Sequence, residues 1–129
     1  MNTHTKGSVW RRATQHWLDE LGAHTRFRSI GEAGDDITAK LGDTEYSVEC
    51  KNVKSITLSS FVDQANGNAL PHQVPVVFIK RRGRVRVGDG YVVMSADHWA
   101  RMAAVCATAP SPTFPSGVGG AGPTPGGGA

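Results

Sequence analysis

The sequence predicts an α/β domain with a mixed central β-sheet flanked by helices, and three observations predict it. Apolar residues recur at helical spacing from Ser8 to Leu21 and again from Leu58 to Ala69. Between these stretches, apolar and polar residues alternate on either side of Gly42-Asp43, as they do in a hairpin. After the second helical stretch, Val74 to Ile79 is an apolar run rich in β-branched residues, which suits a central strand covered on both faces.

The first helix presents Val9, Trp10, Ala13, Trp17, Leu18 and Leu21 on one side, with Ser8 placed to cap it and Gly22 to stop it. Arg11, Arg12, Gln15, Asp19 and Glu20 share the other side, a mixture expected of a solvated face. His24 to Ile30 alternates enough for a strand with Arg26 and Arg28 on one face, and Gly31 to Gly34 forms a loop into the hairpin.

The hairpin carries the chemistry. A two-residue turn at Gly42-Asp43 pairs Leu41 with Thr44, and counting outward sets Asp36 opposite Glu49. Ile37, Ala39, Leu41, Tyr46, Val48 and Cys50 then fall on one face, and Asp36, Thr38, Lys40, Ser47, Glu49 and Lys51 on the other. Two carboxylates facing each other repel, and the pair persists where a cation or a proton sits between them. A pair of carboxylates, with the remaining positions left to water and phosphate, suits Mg²⁺ or Mn²⁺ better than zinc. Lys51 stands on the face of Glu49, where an ammonium orients or helps deprotonate an attacking water.

Beyond the hairpin, Leu58, Phe61, Val62, Ala65 and Ala69 mark the second helix, with Thr57 or Ser59 as its cap. The strand from Val74 to Ile79 is expected beside the Glu-x-Lys strand, joined to it by a right-handed crossover. Lys80, Arg81, Arg82, Arg84 and Arg86 leave that strand around Gly83 as the densest basic cluster, placed to contact phosphate. Tyr91 to Met94 is a last short strand, and Ser95 caps a helix through Trp99, Met102, Ala103 and Cys106. The histidines show no metal-binding spacing. From Thr108 onward the chain is Pro, Gly, Ser, Ala and Thr with few other residues and no charge, so residues 108–129 are expected to be a disordered tail behind a domain of residues 1–107.

A chain of 129 residues with 39% hydrophobic content has room for one domain and a modest core. Its net charge of +3 and pI near 9.1 point to a polyanionic partner, nucleic acid above all. Cys50 and Cys106 are too few for a disulfide framework and are expected to be reduced. The start lacks a hydrophobic signal core, and no apolar run is long enough to cross a membrane.

Asp36 followed by Glu49-Cys50-Lys51 resembles the signature of the PD-(D/E)XK nuclease superfamily, an aspartate opening one strand and a Glu-x-Lys on the next. The flanking Gly34-Asp35-Asp36-Ile37 and Ser47-Val48-Glu49-Cys50-Lys51-Asn52, with Gln64-Ala65 on the following helix, are similar to the small Holliday-junction resolvase-like members of bacteria and their phages. The resemblance spans roughly Lys6 to Met102 and rests on a short motif. It implies a restriction-endonuclease-like core and metal-dependent hydrolysis of phosphodiester bonds in DNA, branched DNA being the favoured substrate.

On that resemblance, Asp36, Glu49 and the backbone carbonyl of Cys50 would hold Mg²⁺ or Mn²⁺. Lys51 would position the nucleophilic water, and Gln64 would support the site. Arg26 and Arg28, with the cluster Lys80, Arg81, Arg82, Arg84 and Arg86, would contact DNA. A homodimer is implied, since two symmetric nicks need two sites, and the expected location is the cytoplasm, that of the host for a phage protein. Relatives often carry a glutamate near the start of the first helix, whereas Arg11 stands at the matching position here. That departure keeps open a non-catalytic nucleic-acid-binding module on the same scaffold, and a nuclease directed at RNA or mismatches is a third reading.

Overall fold

Helix α1 (Thr3–Glu20) starts earlier than the apolar spacing suggests, so Ser8 lies inside it rather than at its cap. Thr3 to Gly7 contains no proline, and a single helical glycine costs only about 1 kcal/mol, so nothing there stops the helix. Its end is as expected. Gly22 adopts φ 97°, its N–H bonds the Asp19 carbonyl, and the Ala23 N–H reaches back to Leu18, the double bond pattern of a glycine-terminated helix. The structure is a computed structural model that describes residues 3–28 and 34–108, with side chains from residue 7 onward. The loop from Gly31 is outside the described residues up to Gly34, and so is the tail beyond Thr108.

Strand β1 (His24–Phe27) is shorter than expected and leaves Arg28 just beyond it. Strands β2 (Ile37–Leu41) and β3 (Thr44–Lys51) form the hairpin, and Leu41 pairs with Thr44 across Gly42-Asp43, the register that the turn implies. Gly42 takes φ 63°, which a glycine-first turn requires. Helix α2 (Leu58–Asn68) crosses over to β4 (Val74–Ile79), which pairs parallel to β3, beside the Glu-x-Lys segment as expected. Thr57 occupies the cap position of α2 but makes no side-chain cap; Ser60 Oγ instead donates to the Thr57 carbonyl at 2.9 Å.

A 3-10 turn (Val87–Asp89) leads to β5 (Tyr91–Val93), antiparallel to β4, and to α3 (Ala96–Thr108). Ser95 precedes α3 as its cap, and its carbonyl accepts from Trp99 N–H. Pro75 is tolerated in β4 because β5 pairs only with Val77, Phe78 and Ile79, so the strand is locally an edge where proline lacks its donor.

The five strands lie in chain order in one sheet. On one face α1 packs against Ile37, Ala39, Val48, Val76 and Phe78, and the indole Nε1 of Trp10 donates to the Phe78 carbonyl at 3.0 Å. On the other face Phe61 and Ala65 of α2 close over Val77 and Ile79. The hairpin's polar face is therefore half-covered by a helix rather than open to water. Among the described residues, no helix is long and apolar enough to cross a membrane.

Candidate active site

The β2–β3 ladder ends at Ile37 and Val48, and the chain bends at Asp36. Simple counting places Asp36 upright on the polar face opposite Glu49. The bend instead turns its side chain into the gap left where β2 ends, so that Asp36 Oδ2 accepts the backbone N–H of Cys50 at 2.8 Å. The carboxylate thus takes a ladder donor that β2 no longer serves. In a strand the N–H and C=O of one residue leave on the same side, so the Cys50 carbonyl is directed into that gap too.

What fixes the bend is the neighbouring Asp35. It is 3% exposed, and its Oδ1 accepts from Nε and Nη2 of Arg28 at 3.2 and 3.0 Å while Oδ2 accepts from Thr38 at 2.9 Å. Asp35 therefore fastens the chain, leaving Asp36 to face the site. Arg28, expected to face DNA, has its guanidinium bound to a buried carboxylate. Arg26 is exposed and stands in register with Thr38 and Ser47 on the α2 face.

Glu49 is 3% exposed. Its Oε1 accepts from Asn68 Nδ2 of α2 at 2.7 Å. Burial pushes its carboxyl up to about 7, the charge of Asp36 adds to that, and the Asn68 bond and the Lys51 ammonium partly offset it. Lys51 Nζ donates to Gln64 Oε1 at 2.7 Å and lies 5.2 Å from the centre of the Phe61 ring. Gln64 thus meets the site through Lys51, as a positioning residue rather than a partner of the carboxylates. Cys50 contributes backbone only. Its thiol is raised by burial first and by the Asp36 charge second, which keeps it protonated.

The donor set fits a hard divalent ion: two carboxylates and a carbonyl, with a buried glutamate that needs a cation or a proton beside it. It is short by one, since among the described residues no group of three His, Cys, Asp or Glu side chains comes together. Arg11 of α1 lies there instead, its Nη1 3.8 Å from Asp36 Oδ1 and its guanidinium carbon 5.3 Å from the centre of the Phe27 ring.

Lys80 follows β4, its N–H bonded to the Lys51 carbonyl at 2.9 Å, which carries the basic cluster to the same end of the sheet. Lys80 and Arg82 line a crevice of about 250 Å³ with Asn52, Val53, Lys54 and Gly83. Arg81 and Arg84 are exposed around the turn, while Arg86 is 3.6 Å from Asp89. Asn68 and Lys54 had no sequence argument of their own. Asn68 was within reach of one, for it lies four residues after Gln64 and so on the same helical face.

No family model and no curated protein matches the chain. The arrangement of helices around the mixed five-stranded sheet is that of a Holliday-junction-resolvase fold. It matches the 1.6 Å resolution structure of Hjc, a Holliday junction resolvase from the archaeal hyperthermophile Archaeoglobus fulgidus. The TM-score is 0.51 and the identity 20%, over 82% of this chain and 99% of that one. The motif resembles bacterial and phage members whereas this neighbour is archaeal, so the likeness supports the fold and not that origin.

Proposed function

We propose that this chain is a metal-dependent endonuclease that hydrolyses phosphodiester bonds in branched DNA. The observation that carries the reading is Asp36 bonded to the backbone beside Glu49, close enough for its charge to act on that buried carboxyl, with Lys51 of the same strand held by Gln64. The fold shared with Hjc supports it. Asp36, Glu49 and the Cys50 carbonyl would hold Mg²⁺ or Mn²⁺, which when bound polarises the phosphate and lowers the pKa of water. Glu49 must give up its proton to bind a cation, so the site loads more readily above neutral pH than below it.

Lys51 keeps its ammonium at the rim of the site through Gln64 and Phe61. There it orients a water toward phosphorus and offsets negative charge growing on the phosphate oxygens. Lys80 and Arg82 hold the strand by its backbone, independently of sequence. A homodimer would place two such sites for paired nicks.

A non-catalytic DNA-binding module is the second reading, favoured by one observation: Arg11 adjoins Asp36 where a third acidic ligand would complete the set. Incubating the purified protein with labelled four-way-junction, duplex, flap and single-stranded DNA, in Mg²⁺, Mn²⁺ or EDTA, separates the two. Metal-dependent cleavage, strongest on the junction, is expected; tight binding without cleavage in any metal makes the module reading the right one.

A further inference from the structure

Arg11 is the one cation in contact with Asp36 among the described residues, and its surroundings are unusual for an arginine. The side chain is only 25% exposed, the guanidinium lies against the Phe27 ring, and the nearest carboxylate oxygen is at 3.8 Å, too far for a hydrogen bond. Its guanidinium makes no hydrogen bond to any described residue, although five N–H donors are available. A withdrawn guanidinium in this state is a receptor for an anionic oxygen, and phosphate fits its fork.

The oxygen that Arg11 approaches is Asp36 Oδ1, while Oδ2 is already taken by Cys50 N–H. Oδ1 is therefore the oxygen left for a divalent ion. A guanidinium and a divalent cation repel at such a distance, so they compete for it.

We propose that Arg11 is the resident cation of the DNA-free site: it excludes the divalent ion from Asp36 until a DNA phosphate draws the guanidinium away. Metal and DNA then bind cooperatively, each raising the affinity of the other by the same factor. The proposal rests on the nuclease reading above and adds to it an order of events. It also gives the departure at Arg11 a purpose, since a charge that swings onto phosphate releases the ligand it was screening.

The test is a Mn²⁺ titration of the full chain without DNA, followed by calorimetry and by the electron paramagnetic resonance of free Mn²⁺. Arg11→Gln keeps polar bulk and loses the charge; Arg11→Lys keeps the charge. Circular dichroism confirms that each variant is folded. Mn²⁺ is expected to bind Arg11→Gln at least about tenfold more tightly than the parent and Arg11→Lys within about threefold of it. Adding Asp36→Asn to Arg11→Gln is expected to abolish the gain. Equal Mn²⁺ affinity of folded parent and Arg11→Gln overturns the proposal and leaves the nuclease reading standing. Absence of Mn²⁺ binding in every protein also overturns the proposal, while the nuclease reading stands or falls on the cleavage assay with DNA.

Discussion

The two faces of β3 alternate residue by residue yet hold opposite chemistries. Facing α1, Val48 joins Ile37, Val76 and Phe78 in an apolar core, and the partly buried Cys50 packs against it with its thiol kept neutral. Facing α2, Ser47, Glu49 and Lys51 are covered to differing degrees, and the helix meets them with Asn68 and Gln64 as well as Phe61. Depth does not separate the faces, for Glu49 is as inaccessible as many core residues. The difference lies in what covers them. An apolar cover makes burial stabilising, whereas a partly polar cover holds a buried acid whose charge is suppressed.

The sharpest way to break this contrast is at its edge. Asp36→Asn is expected to abolish cleavage while leaving DNA binding intact or improved, because it removes a negative ligand near a polyanion. Asp35→Asn is expected to lose stability instead, about 1–3 kcal/mol from the disturbed Arg28 and Thr38 bonds, read from its urea midpoint. Reversed outcomes for the two aspartates would mean that the metal ligand has been assigned to the wrong one.

On the core face, Ile37→Ala is expected to cost about 2–5 kcal/mol, as a fully buried side chain leaves a cavity beneath α1. On the other face, Lys51→Ala is expected to slow single-turnover cleavage about a hundredfold, on the scale of one preorganised electrostatic group, with an unchanged urea midpoint. Lys51→Arg should not restore the rate, because a planar fork cannot replace a compact ammonium at a water-sized distance. If both Lys51 variants cleave within about threefold of the parent, the contrast holds for structure but not for chemistry.

A pH series sharpens the contrast further. The Glu49 carboxyl titrates higher in the folded chain than its usual 4.5, at about 7, so the folded state binds the extra proton in between. Metal-free stability contributed by this group is therefore present below 4.5 and is lost as pH rises through 7. Glu49→Gln should remain close to the parent in stability near the lower value and exceed it above the upper one, in EDTA. A stability difference independent of pH would show that Glu49 is not held protonated by its surroundings. The smallest effect is expected at Ser47, whose buried Oγ has no hydrogen-bond partner among the described residues. Ser47→Ala should be neutral or stabilising by about 1 kcal/mol, and a clear loss of stability would mean that the hydroxyl does have a partner.

Much of this was legible in the sequence because it is local. Gly42-Asp43 and the alternation around it fix the register of Ile37 to Lys51, and the β-branched run fixes the place of β4. What could not be read depends on how separate elements meet. The bend at Asp36 is secured by Arg28, a residue of the preceding strand's exit, and α2 supplies both the donor to Glu49 and the acceptor for Lys51. The contact of Arg11 with Asp36 depends on the roll of α1, which Trp10 sets by bonding the Phe78 carbonyl far along the chain. The mixed helical face alone gives no hint of that contact; only the resemblance, which sets Arg11 where relatives often carry a glutamate, points to that end of the sheet.

The order of the strands bears on how such a site comes into being. Because spatial neighbours are also successive along the chain, both carboxylates belong to a single hairpin that closes over a two-residue turn. The only long closure that the group needs is the one through α2 to β4, and the entropy of closing a loop rises slowly with its length. Strand β5 and α3 supply none of these side chains. During synthesis, Asp36, Glu49, Cys50 and Lys51 are therefore all in the chain before β5 and α3 are added.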